Sequence, residues 1–192
     1  MIKLVVLLAA LSLVAVACGD EGSSSVQGGE PNVPAEVPFD RAFIDAMVPH
    51  HREAIAMAEA ASERRLSQPD LVQIANDIID SQKFEIDQML EWREEWFGSR
   101  ALGPVEPEVL GVPEDRLGME HGTADQVTNA ADGDATFAAL MIPHHEGAIA
   151  MAEAATRRAQ HDELRDLAAR IIDAQEREIE VMEPHASDEH HG

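Results

Sequence analysis

One cysteine, no tyrosine, two tryptophans and only 14 basic residues against 37 acidic ones set the first limits on this chain of 192 residues. A single thiol, Cys18, can close no intramolecular disulfide and cannot build a thiolate metal centre. Lys and Arg are scarce and nowhere clustered, and the net charge is -23, so nucleic acid and anionic membrane surfaces are poor partners while cations are good ones. Also missing are a phosphate-binding loop, a dinucleotide fingerprint and any Ser or Cys nucleophile arrangement, so nothing suggests catalysis. The one long apolar run, Leu4 to Ala17, is too short for a confident membrane span. Hydrophobic residues still make up 45% of the chain, enough for one ordinary domain or two small halves sharing a core.

Lys3, the apolar run and Cys18 have the layout of a secretory signal over residues 1–18. Ala15-Val16-Ala17 before Cys18 resemble a bacterial lipoprotein cleavage box, with Ala15 where Leu is more usual. On that reading Cys18 becomes a lipidated N-terminus, and the chain meets the outer face of the cytoplasmic membrane or the cell envelope only through this anchor. The alternative is an ordinary cleaved export signal; either way the protein leaves the cytoplasm. Residues 19–38, mostly Gly, Ser, Pro and acid, read as a disordered tether.

What is there is a sentence said twice. Phe43 to Ala61 returns as Phe137 to Ala155 at an offset of 94, matching Met47 to Met141, Pro49 to Pro143, His50 to His144, His51 to His145 and Met57 to Met151. With one residue lost in the turn, Gln82, Glu85, Ile86 and Met89 match Gln175, Glu178, Ile179 and Met182. Apolar spacing predicts helices over Arg41 to Arg65 with Asp40 as N-cap, Asp70 to Trp96, a short one near Thr123 to Ala131, then Asp134 to Ala159 and Asp162 to Met182. Pro49 and Pro143 are expected to kink or divide their helices just before each His pair. Each copy (39–97 and 134–185, joined by a Pro- and Gly-marked connector, 98–133) is a helical hairpin that cannot bury its apolar face alone. The fold expected is therefore all-α: a ferritin-like four-helix bundle of two duplicated hairpins.

At about 100° per residue, Phe43, Ala54, Ala58 and Ala61 fall near Met47 and define the inward stripe. His51 borders it on one side, His50 and Met57 on the other, while Asp45, Arg52, Glu53 and Glu59 are expected to point away. Gln82 and Glu85, with Gln175 and Glu178 in the second copy, share a stripe with apolar residues and need partners there. They can orient an imidazole, as carboxylates do around metal-bound His, or Glu85 and Glu178 can be ligands themselves.

Thioether and imidazole together favour Cu(I), with copper in either oxidation state acceptable to imidazole. The first-choice ligands are His50, His51, Met47 and Met57 with His144, His145, Met141 and Met151. Met89, Met182, Met119, His121 and His185 are further candidates, and the His-rich tail at 186–192 is either a metal lure or a solvated end. Two competing readings stay open. In one the protein is a metal-dependent oxidase using Glu85 and Glu178 with the histidines. In the other the Met are core filler, the His are satisfied core residues, and the bundle is a structural or partner-binding module. Oligomerisation and a copper-transfer partner are both compatible with the sequence.

At these residues the chain resembles the DUF305 family, exported ferritin-like helical proteins with a Met-(Ile/Val)-x-His-His-x-x-Ala-Ile-x-Met-Ala signature. Met47-Val48-Pro49-His50-His51 with Ala54-Ile55-Ala56-Met57-Ala58 carries it, and Met141 to Ala152 carries it again. The follow-on Gln82, Glu85, Ile86, Met89 and Trp92 is similar to the family's second helix, and coverage runs from about Phe39 to His185. The resemblance implies copper binding or copper tolerance outside the cytoplasm. His185 departs from the pattern by standing where the first copy has Trp92, and the connector keeps Gly118-Met119 but little other Met or His.

Overall fold

The structure, a computed structural model, describes residues 37–64, 66–119 and 122–186. Cys18, the signal segment, nearly all of the tether, His121 and tail residues 187–192 lie outside the described residues. The elements are α1 (Phe39–Arg64), α2 (Pro69–Phe97), α3 (Pro107–Leu110), α4 (Thr123–Asn129), α5 (Gly133–Arg158) and α6 (Asp162–Ala186), with a single 3-10 turn at Glu114–Arg116. No helix among the described residues is long and apolar enough to cross a membrane. The long helices match the periodic stretches closely. Pro69 opens α2, and Gly98 closes it at φ 77°, the left-handed conformation a glycine adopts without penalty. The helices α1 and α5 are not divided at Pro49 and Pro143, and α6 runs on through Pro184.

The architecture is an all-α bundle: α2 packs on α1, α6 on α5, and α1 on α5, while α2 and α6 touch only slightly. Its core falls into two clusters. One joins the N-terminal half of α1 (Phe39 to Val48) to the C-terminal half of α5 (Ala148 to Ala155). The other joins the C-terminal half of α1 (Ala54 to Ala61) to the N-terminal half of α5 (Phe137 to Met141). The helices α1 and α5 therefore run antiparallel, and the repeat maps each cluster onto the other, as a pseudo-twofold requires.

The same pseudo-symmetry locks the turns. Asp40 does not cap its own helix. It lies inside the first turn of α1, buried, and its carboxylate accepts hydrogen bonds from the backbone N–H of Gln160 and of His161 and from His161 Nδ1 at 2.6 Å, thereby capping the α5–α6 turn. Its repeat counterpart Asp134 accepts from the backbone N–H of Ser67 in the α1–α2 turn at 2.9 Å. The start of each copy thus satisfies orphan donors in the other, which no single hairpin could do. Asp132 caps α5 by accepting from Ala135 N.

Asp45 is the second correction. Expected outside, it is buried, because Arg93 reaches across from α2 with Nε 2.8 Å from Asp45 Oδ1 while donating through Nη1 to Ser99 O. A paired carboxylate can occupy an inward position that a lone one could not.

Candidate metal centre

Where the two core clusters meet, the polar residues are gathered. His50, His51, His144 and His145 are each at most 3% exposed. Each pair follows its helix proline by one residue, and α1 and α5 cross closely enough there for His50 and His144 to stack with ring centroids 3.7 Å apart and planes 24° from parallel. His50 was placed at the flank of the stripe by the single-helix wheel; the partner helix is what buries it.

The outer histidines are oriented by carboxylates. His51 Nε2 donates to Glu85 Oε2 at 2.8 Å, and His145 Nε2 donates to Glu178 Oε2 at 2.7 Å. That hydrogen bond fixes the ring's orientation and, in a neutral imidazole, puts the proton on Nε2 and the lone pair on Nδ1. In both copies this Nδ1 is buried and has no hydrogen-bond partner. His50 has none at either ring nitrogen, the Leu117 backbone lying nearby without reaching hydrogen-bond geometry. His144 is placed differently, with Nδ1 2.8 Å from Gly118 O and Nε2 3.0 Å from His50 O. A neutral imidazole carries one N–H, so one of its nitrogens faces a carbonyl oxygen with no proton between them.

Burial, reinforced by the neighbouring imidazoles, pushes His50 well below its ordinary pKa. Burial and then the neighbouring His145 imidazole bring His144 down to about 4, against the pull of its two carbonyl contacts. At neutral pH these two rings are unprotonated donors in a dry interior.

The methionines flank this layer on both sides, but not in the grouping the linear motif implies. Met47, Met89 and Met151 share one cluster; Met57, Met141 and Met182 share the other. The two methionines of one motif thus lie in different clusters, and each cluster takes thioethers from both copies. All six are fully buried. Gln82 and Gln175 are also buried, each with its Oε1 unpartnered, so they do not serve as hydrogen-bond partners of the histidines as expected from their stripe. Among the described residues no three His, Cys, Asp or Glu side chains gather closely enough to hold a metal by themselves. The stacked rings of His50 and His144 hold their lone pairs in nearly parallel planes rather than aiming them at one point.

The remaining candidates divide. Met119 is half-buried and packs against the cluster containing Met47, Met89 and Met151. His185 stays at the far end of α6, its Nε2 3.0 Å from Asp70 Oδ2 at the start of α2, and it pins the helix ends together. One feature of the site passed unnoticed in the sequence. The connector crosses α5 as a strap at Leu117–Met119, and a Cβ on Gly147 would lie 2.2 Å from Leu117 O. The first copy has Glu53 at this position, and the signal was a glycine inside an otherwise strong helical pattern.

The family profile described as Domain of unknown function (DUF305) matches residues 40–185. Among solved structures, CopM in the Cu(I)-bound form is 33% identical, with a TM-score of 0.61 over 76% of this chain and 93% of that one. CopM in the Cu(II)-bound form is also 33% identical, with a TM-score of 0.62 over 77% and 95%. A DUF305 fragment from Deinococcus radiodurans is 28% identical, with a TM-score of 0.64 over 79% and 97%. No protein of curated function matches the chain.

Proposed function

The chain belongs to the DUF305 family, and on that premise we propose that it is an exported copper-holding protein that sequesters Cu(I) inside the bundle for tolerance or for handover to a partner. The observation that carries this reading is a buried layer of histidines in which Nδ1 of His51 and His145 and both ring nitrogens of His50 have no hydrogen-bond partner, beside two core clusters that each include three buried methionines. Burying such nitrogens unpartnered costs free energy that a bound cation would offset. Thioether sulfur is a poor ligand for zinc, iron or calcium and a good one for Cu(I). Likeness to CopM, which has been solved with Cu(I), Cu(II) and Ag bound, supports the same metal class.

On this reading each site draws its sulfur from both copies. Met47, Met89 and Met151 serve one site and Met57, Met141 and Met182 the other, completed by imidazole nitrogens of the shared layer. Glu85 and Glu178 orient His51 and His145 rather than ligating. Lipidation of Cys18 would keep the store at the cell surface.

The test is an anaerobic Cu(I) competition titration of the protein beside a variant with His50, His51, His144 and His145 all changed to Ala. Tight uptake of two Cu(I) per chain, lost in a variant that remains helical, is the expected result. Equal binding in both, or none in either, would sink the reading and leave the layer as bundle architecture.

A further inference from the structure

The two His pairs are alike inside the bundle but not in what covers them. The helix α1 carries α2 on one side and α4 on another, and α4 meets α5 far less. The side of α5 from Pro143 to Glu153 instead opens on a cleft of about 680 Å3, whose other wall is the connector around the 3-10 turn. Glu114, Asp115, Glu146 and Glu153 line it against a single basic residue, Arg116. Met119 and His144 complete the wall nearest the bundle.

The layer reaches this cleft at His144, and the strap covers it there. His144 Nδ1 lies 2.8 Å from Gly118 O, and Leu117 rests on the bare backbone of Gly147. Directly behind His144 lies its stacked neighbour His50, with both nitrogens unpartnered. Met119 faces both ways, since it lines the cleft and packs against the cluster of Met47, Met89 and Met151. The first copy has Glu53 where α5 has Gly147, so the connector cannot cross α1 as it crosses α5.

We propose that this cleft is the port through which a soft monovalent cation enters and leaves the bundle, with Met119 as the transfer ligand between the acidic mouth and the buried thioethers. The proposal rests on the copper reading above. A cleft lined by carboxylates over low-dielectric walls concentrates cations and speeds their capture. A thioether at its inner edge lets Cu(I) move by ligand exchange without passing through a site that offers only hard oxygen donors. Two copies thus share one port, so the two methionine clusters fill through the same side of the molecule.

The experiment is rapid mixing of the metal-free protein with a cationic Cu(I)–acetonitrile complex under anaerobic conditions. Uptake is followed by quenching of Trp92 and Trp96, which pack against the Met47 cluster. In E146Q/E153Q, uptake and release should both slow, on the order of 3- to 10-fold at low salt, with the gap closing as salt screens the mouth and the equilibrium affinity preserved. M119A should slow uptake with little dependence on salt. E91Q/E95Q, two exposed carboxylates on α2, makes the same charge change elsewhere and should match the parent. A parent that binds Cu(I) tightly while E146Q/E153Q and M119A load at its rate, or no slower than E91Q/E95Q, would overturn the port and leave the copper site standing. A parent that takes up no Cu(I) would remove both.

Discussion

The two hairpins are copies at the histidine layer they share and strangers away from it. Inside, most chemical choices recur: the stacked His50 and His144, though only His144 meets carbonyl oxygens, the carboxylate-backed His51 and His145, the unpartnered amide oxygens of Gln82 and Gln175, and three methionines to each cluster. Away from that layer, Asp45 and Arg93 form a buried pair where the second copy has Ala139 and Ala186, Gly147 stands in place of Glu53, and His185 in place of Trp92. Whatever lies at the pseudo-twofold must satisfy both halves at once and is held to symmetry. The parts away from that layer meet only their own surroundings, so one copy could gain an ion pair and the other an opening.

The sharpest way to break that comparison is to attack a device owned by one copy. Asp45→Ala leaves the Arg93 guanidinium buried without its carboxylate and should destabilise the fold by about 3–5 kcal/mol, as removal of one partner from a buried pair does. Removing both partners as Asp45→Ala with Arg93→Met should recover most of this loss. Denaturant midpoints of the single and double variants measure it. A single variant within about 0.5 kcal/mol of the parent would mean that the pair is incidental.

The second perturbation acts on what the copies share. His144 titrates at about 4 in the folded protein and at its ordinary 6.5 once unfolded. Between those values the unfolded chain binds the extra proton, so stability is complete above about pH 6.5 and falls as pH drops toward 4. For this one group the loss amounts to about 3 kcal/mol. His50, lowered in the same direction, adds to it. Metal-free protein unfolded in denaturant at pH 7 and at pH 4.5 gives the slope, and His144→Asn should flatten it. An unchanged slope in that variant would show that other groups govern the acid limb.

Much of this was legible beforehand, for physical reasons. A repeat at a fixed offset, apolar spacing of 3.6 and Pro and Gly at helix ends are local signals, and they located the four long helices to within a few residues except at the far end of α6. The histidine pairs were legible because imidazole beside thioether on an inward stripe is unusual chemistry. What escaped depends on residues far away in the chain. A helical wheel measures angles about one axis, so it placed Asp45 outside and His50 at the border. Arg93, 48 residues on, and α5, 94 residues on, reverse both judgements. Asp40 had the right chemistry for a cap but serves a turn 120 residues away. The strap left only one mark in the sequence, the glycine at Gly147 inside a helical pattern, which signals a close approach but not what approaches.

The subtlest test concerns how the motif is divided. Read along the chain, Met47 and Met57 belong together, ten residues apart on one helix; read in space, Met47 belongs with Met151 and Met57 with Met141. Residues in contact couple by about 0.5–3 kcal/mol, while well-separated residues add within about 0.5 kcal/mol. A double-mutant cycle on Met47→Ala and Met151→Ala should therefore show coupling in metal-free stability, and the cycle on Met47→Ala and Met57→Ala should not. Cu(I) sharpens the contrast. If each site draws sulfur from both copies, Met47→Ala with Met151→Ala should damage one site and spare the other, whereas Met47→Ala with Met57→Ala should weaken both. The opposite pattern, with the two methionines of one helix coupled and one site lost with them, would return the motif to its linear reading and make each copy a self-contained metal site.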